Sequence, residues 1–197
     1  MDSIPRSTTS ATTSRALEKA GVPPMYRDAE PRHDLLRGAF ITGHAGIGKT
    51  HAACGAIRAF VDLHVREVEG TAMYFGPRAK FVSAPEWFAM MRATYNKRGM
   101  DERDVFERYA RCGLLVLDDL GKGSKTDWAV ERIYMLLDYR YNHKLPTIIT
   151  SNYDIGEVAS LLSTDEQSQE AIASRIGGMC RGVRMSGKDR RLARNQK

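Results

Sequence analysis

Gly43-His44-Ala45-Gly46-Ile47-Gly48-Lys49-Thr50 reads G-x-x-x-x-G-K-T without a mismatch, and its setting decides the fold. An apolar run, Ala39-Phe40-Ile41-Thr42, precedes it, and a helical stretch from Thr50 toward Val65 follows. Strand, glycine loop and helix form the context in which this spacing cradles phosphate. Glycines let the backbone curl so that successive N–H groups point at one anion. The helix behind them adds its positive end. In that arrangement Gly43, His44, Ala45, Gly46, Ile47 and Gly48 wrap the phosphates and Lys49 reaches the β- and γ-phosphates. The Thr50 hydroxyl ligates Mg²⁺. The stretch therefore predicts a nucleoside triphosphate site.

The chain around it has the composition of a globular domain, with 42% hydrophobic and 27% charged residues. A length of 197 residues suits one domain with a sizeable core. No apolar run approaches the about 20 residues that a membrane span requires, so no membrane partner and a cytoplasmic location are expected. Cys54, Cys112 and Cys180 lie far apart without a C-x-x-C pair. That spacing argues against a disulfide framework or a zinc site and for a reducing compartment. Cys54, one turn into the helix after the loop, reads as core. The net charge is +6, and it is concentrated at one end. Arg175, Arg181, Arg184, Lys188, Arg190, Arg191, Arg194 and Lys197 face only Asp189 there. Such a tail suits a polyanionic partner, and suits equally a solvated terminus.

Residues 1–14 are rich in Ser and Thr and show no periodicity, which predicts disorder. A short helix is expected over Arg15–Ala20, stopped by Gly21 and Pro23-Pro24. Arg66–Gly70 reads as a charged connector, followed by β-rich runs at Thr71–Phe75 and Lys80–Val82. Ser83-Ala84-Pro85-Glu86 is a capping box with proline in the first turn. Trp87, Met90, Met91 and Tyr95 then keep helical spacing, and a further helix is expected from about Asp101 to Arg111.

Leu114-Leu115-Val116-Leu117 reads as a strand buried on both faces, as in parallel sheets, and it ends on Asp118-Asp119. Two carboxylates at a buried strand end call for an ion pair or a metal. Thr126 or Asp127 can cap the next helix, where Val130, Ile133, Tyr134, Leu137 and Tyr141 share one face. Thr147-Ile148-Ile149-Thr150-Ser151-Asn152 is a second buried strand, Asp154-x-x-Glu157 opens a helix, and another helix over about Asp165–Ile176 closes at Gly177-Gly178. Cys180–Ser186 is the last strand expected. Strands alternating with helices predict an α/β fold with a parallel sheet covered on both faces.

Taken in order, G-H-A-G-I-G-K-T, L-L-V-L-D-D-L-G, W-x-x-E-R-I-Y-x-L-L-D-Y-R-Y, P-T-I-I-T-S-N and A-S-R-I resemble the AAA+ ATPases of the DnaC/IstB group. These are bacterial and phage replicative-helicase loaders and transposition helper ATPases. The leader A-G-V-P-P-M-Y-R-D-A (20–29) is similar to the segment entering that group's core. The resemblance divides the chain into a tail (1–19), an AAA+ core (20–192) and a basic end (193–197). It implies a P-loop NTPase of AAA+ type without a C-terminal helical lid, since the chain after Arg175 is too short for one. It implies ATP and Mg²⁺ as cofactors, with Asp118 holding the metal, directly or through water, and Asp119 polarising the attacking water. Asn152 matches the sensor-1 residue, Arg175 the arginine finger that completes a neighbouring subunit's site, and Arg191 a sensor-2 candidate. By residue type alone, Arg175 is a helix-end charge.

Two features depart from the group. Asp119 stands where many AAA+ proteins have Glu, which implies slow hydrolysis or dependence on a partner. Few residues precede the core, where loaders usually carry a helicase-gripping domain. The resemblance favours a homo-oligomeric Mg·ATP-dependent ATPase acting on a replicative helicase or another DNA-remodelling protein, with contact to single-stranded DNA. The insert 83–111 corresponds to the group's DNA-contacting region, where Tyr95, Lys97 and Arg98 offer stacking and phosphate contacts. A transposition helper and a nucleotide-gated scaffold with little turnover are the alternatives. A small-molecule kinase would need an acceptor pocket and an arginine lid that the sequence does not display.

Overall fold

A computed structural model describes residues 6–94, 101–122 and 126–189. The chain runs α1 (Arg6–Ala20), β1 (Ala39–Thr42), α2 (Lys49–Asp62), β2 (Val65–Val68), β3 (Thr71–Tyr74), β4 (Ala79–Ser83), α3 (Ala84–Ala93), α4 (Glu102–Ala110), β5 (Leu114–Asp118), α5 (Asp127–Asn142), β6 (Thr147–Ser151), α6 (Ile155–Leu162), α7 (Glu166–Met179) and β7 (Arg181–Arg184). Five strands form one parallel sheet in the order β4-β5-β6-β1-β7, and β2 and β3 form a separate antiparallel hairpin. The expected α/β architecture is the observed one.

The apolar run of β5 is split between two layers. Leu115 and Leu117 belong to the cluster with Trp87, Ile133, Leu137 and Ile149. Leu114 and Val116 belong to the cluster with Ile41, Ala53, Ile57 and Ile148 under α2. A strand covered on both faces has no polar side to show, which is why the sequence there is continuous rather than alternating. The order β5-β6-β1 brings the carboxyl ends of three adjacent strands together, the place where open α/β sheets bind ligands.

Arg140 of α5 locks part of this frame. It is fully buried, and its guanidinium donates to the carbonyls of Tyr109, Ala110, Cys112 and Pro146 and to the Thr147 hydroxyl. Burial holds it below the ordinary arginine value. Carbonyl acceptors compensate the buried charge where no carboxylate does, and they tie the entries of β5 and β6 together.

Several sequence expectations need correction. The first described residues are helical, not disordered: α1 begins at Arg6. Leu17 and Ala20 are buried, and Thr13 donates to Asp62 Oδ1 at 3.0 Å. Tertiary contacts, not local periodicity, sustain this helix. The charged connector Arg66–Gly70 is in fact mostly strand, with Arg66 opposite Met73 in the β2–β3 hairpin. Gly177-Gly178 does not end α7, which continues to Met179 and is capped at Cys180. The three cysteines are free and buried, and burial pushes their thiols up, in keeping with a core role. Among the described residues no helix is long and apolar enough to cross a membrane.

Candidate functional site

The loop after β1 curls through left-handed glycines, with φ of 78° at Gly46 and 102° at Gly48. Gly48 is also the N-cap of α2, and no side chain caps that helix. Its first N–H groups therefore face the loop's hollow, where an anion would satisfy them. Lys49 is 6% exposed and curls back over its own loop. Its Nζ donates to the carbonyls of Gly43 at 2.8 Å and His44 at 2.9 Å, and to Asn152 Oδ1 at 2.7 Å. Asn152 sits directly after β6. The lysine and the sensor candidate thus meet across more than a hundred residues of sequence.

The acidic side is built from β5, β6 and α2. The Thr50 hydroxyl reaches both Asp118 oxygens, at 3.0 and 3.1 Å. Thr150 donates to Asp118 Oδ1 and accepts from the Asp119 N–H at 3.0 Å. Burial pushes the Asp118 carboxyl up, the Thr150 hydrogen bond pulls it back, the Asp119 charge raises it further and the Thr50 bond lowers it. Asp119 adopts φ 59°, a left-handed backbone unusual for a residue with a side chain. That turn takes its carboxylate out of the strand, into contact with Lys122 Nζ at 2.9 Å. Strain of this kind persists only where the surroundings fix it, here through the Thr150 contact.

One cavity joins these groups. It is lined by Ala45, Gly46, Gly48, Lys49, Thr50, His51, Asp119, Lys122 and Asn152, with Met25, Tyr26 and Asp28 as a further wall. The Tyr26 ring meets the His51 ring edge-on at 6.4 Å. Of the site residues expected from sequence, Ala45, Gly46, Gly48, Lys49, Thr50, Asp119 and Asn152 line this cavity; Asp118 is joined to it through the Thr50 hydroxyl, and Gly43 and His44 turn their carbonyls to Lys49 Nζ. Arg175 is not among them: it lies on α7, donates from Nε to Asp138 Oδ1 at 2.7 Å and stacks 5.0 Å from the Tyr141 ring centre. Arg191, Tyr95, Lys97 and Arg98 lie outside the described residues.

Sequence reasoning missed Thr150, Lys122, the Met25–Tyr26 wall and Asp189. Thr150 could have been found, because it shares the strand face of Ile148, just as Asp118 shares that of Leu114 and Val116, beneath the helix bearing Thr50. Asp189 could not, since only tertiary folding brings its carboxylate against Gly46. A Cβ at position 46 would collide with the Asp189 carboxylate.

A family profile described as "IstB-like ATP binding protein" matches residues 37–197. The Phage-like element PBSX protein XkdC of Bacillus subtilis (strain 168) is 32% identical over 146 residues, 71% of this chain and 46% of that protein. The chain thus spans less than half the length of that relative. A crystal structure of the DnaC helicase loader superposes with TM-score 0.59 at 26% identity, covering 87% of this chain and 89% of the other. A crystal structure of DnaI shares the fold, with TM-score 0.60 at 24% identity over 89% of this chain and 81% of the other. Because the family match takes in the phosphate loop, both aspartates and Asn152 along most of the chain, the protein belongs to the IstB-like ATP-binding family.

Proposed function

We propose that this chain is a magnesium-dependent ATPase of AAA+ type that acts on a DNA-replication assembly as a helicase loader, working as a homo-oligomer and contacting single-stranded DNA. The observation that carries the reading is the convergence of Lys49, Thr50 and Asn152 in one cavity at neighbouring strand ends, with Asp118 accepting from the Thr50 hydroxyl. The residues suit a hard cation: the buried Asp118 carboxyl, pushed up by desolvation and pulled back by the Thr150 and Thr50 hydrogen bonds, offers oxygen beside a threonine hydroxyl. Among the described residues no group of three or more His, Cys, Asp or Glu could hold a metal alone. Phosphate oxygens and water would thus complete the shell, as magnesium commonly allows. Bound there, magnesium neutralises charge on the β- and γ-phosphates.

The chain's own groups divide the remaining work. Lys49 exchanges its carbonyl acceptors for phosphate oxygens. Asp119, turned out of the strand, polarises the attacking water. Asn152, whose Oδ1 accepts from Lys49, keeps its amide N–H groups for the γ-phosphate or that water. Met25 and Tyr26 offer an apolar face for the base. Arg175 would serve a neighbouring subunit, which requires it to leave Asp138 and Tyr141. Asp119 is one methylene shorter than Glu and engaged with Lys122, so unstimulated turnover is slow.

Support for the partner class comes from the likeness to the DnaC helicase loader and to a protein of a phage-like element. The deciding experiment measures ATP turnover alone, with single-stranded DNA, and with the host's replicative helicase. Stimulation by helicase or DNA is expected. Turnover that stays absent under all three conditions refutes the ATPase reading in favour of a nucleotide-gated scaffold. Stimulation by a transposase in place of the helicase would favour the transposition helper.

A further inference from the structure

Away from the nucleotide site, a groove of about 810 Å³ opens between α1, the β2–β3 hairpin and the edge strand β4. Its lining holds Arg15, Lys19, Arg78 and Lys80 and neither Asp nor Glu. Arg108 adds a fifth positive charge close enough to act on Lys80: burial first, then Arg108 and Arg78, hold that ammonium below its ordinary value. Among the described residues none of these five side chains pairs with a carboxylate. Glu18, between Arg15 and Lys19 in sequence, is turned to Arg27 instead, at 3.9 Å.

The walls are fixed before any ligand arrives. Thr12 of α1 donates to the Ala72 carbonyl at 2.9 Å, and Lys80 Nζ donates to the Lys19 carbonyl at 2.8 Å. Arg15 and Lys19, at i and i+4, share one helix face about 5–6 Å apart. Arg78 and Lys80 stand on the opposite wall. Met73, 45% exposed, and the half-buried Tyr74 ring supply apolar surface on the rim. Unpaired like charges held together in a rigid groove repel one another, and a chain of anions relieves that repulsion. Cations with an aromatic ring and an apolar side chain are the combination that holds a single strand, phosphates on the charges and bases on the flat faces.

We propose that this groove binds the phosphodiester backbone of single-stranded nucleic acid, independently of ATP. The proposal does not rest on the ATPase reading, whose own DNA contacts fall at residues 83–111 and the basic end. An acidic peptide would use the cations and leave Met73 and Tyr74 without purpose.

The test is fluorescence anisotropy of a labelled oligothymidylate without nucleotide, across a salt series, for the wild type and for Arg15→Gln/Arg78→Gln. Both arginines are exposed, so the double variant should melt as the wild type does. Removing one phosphate-binding cation flattens the slope of log K against log salt by about 0.7. The double variant should therefore lose about 1.4 of slope and bind at least about tenfold more weakly at about 0.1 M salt. The single Arg78→Gln variant should lose half of that slope. An unchanged slope overturns the groove, as does a wild type that binds no oligonucleotide without ATP. In the second case ATP-dependent DNA binding elsewhere would leave the ATPase reading standing. Displacement by polyglutamate at equal charge concentration, matching that by unlabelled oligothymidylate, overturns the nucleic-acid occupant in favour of an acidic peptide.

Discussion

Asp189→Ala removes the carboxylate that lies against Gly46 in the curl where nucleotide phosphates would sit. A carboxylate near the uncapped start of α2 takes part of the stabilisation that a phosphate would otherwise receive. Charges at helix N-termini are worth about 0.3–1 kcal/mol at the surface. Asp189 is partly exposed, so solvent screening keeps the value within that range and not above it. Displacing the carboxylate therefore costs ATP about two- to fivefold in affinity, and the variant should regain that factor. Calorimetric titration with Mg·ATP measures it directly. The gain should shrink at high salt, where exposed charges are screened, and adenosine, which has no phosphates, should show none. Equal affinity at low salt would refute the competition. Weaker binding by the variant would show that Asp189 acts on the nucleotide's side.

Three further outcomes follow from the site. Lys49→Ala should lose about a hundredfold or more in ATP affinity, since charged contacts to two phosphates go at once; unchanged affinity by the same titration contradicts the phosphate-loop assignment. Asp119→Asn should keep ATP bound but lower turnover by about 10²–10⁴-fold, the usual share of a positioned base, and a wild-type rate would place the base elsewhere. Asp118→Asn should abolish magnesium-dependent binding yet raise the melting temperature of the nucleotide-free protein, by about 2–4 °C for each kcal/mol of desolvation relieved. Burial raises the Asp118 pKa in the folded state, so its destabilising ionisation sets in as pH climbs through and above the ordinary carboxylate range. The variant's advantage should thus be absent in acid and full at neutral pH, and an advantage that vanished with rising pH would reverse the assignment.

Much of the sheet was legible because its signals are local. A glycine loop between an apolar run and a helix, and four apolar residues ending on two aspartates, each have one good structural solution. The position of Asn152 beside Lys49 depends on the strand order β5-β6-β1, which periodicity does not display; the family resemblance gave only the match of Asn152 to a sensor-1 residue. Elements sustained by distant contacts were misread. The Ser/Thr-rich start of α1 looks polar in isolation and becomes helical where Thr13 meets Asp62 and Leu17 meets the core. The β2–β3 hairpin carries charges outward on β2 and so resembled a connector. Gly177-Gly178 continues α7 because Ile176 and Cys180 are anchored on either side of it. Arg140, read only as part of a helical motif, proved to be a buried clamp on two strand entries.

In the proposed mechanism each nucleotide held by the phosphate loop is cleaved with an arginine from a neighbouring subunit. Arg175 touches Asp138 and Tyr141 and does not line its own cavity, so within one subunit it has no catalytic place. Arg175→Ala should bind ATP normally and hydrolyse it poorly; Lys49→Ala should bind none but keep a working finger. The direct measurement is ATP turnover of the two variants mixed across a range of ratios. Activity is expected in the mixture that neither variant shows alone, maximal near equal amounts. A mixture that stays inactive at every ratio, at concentrations where the wild type turns over, contradicts the mechanism.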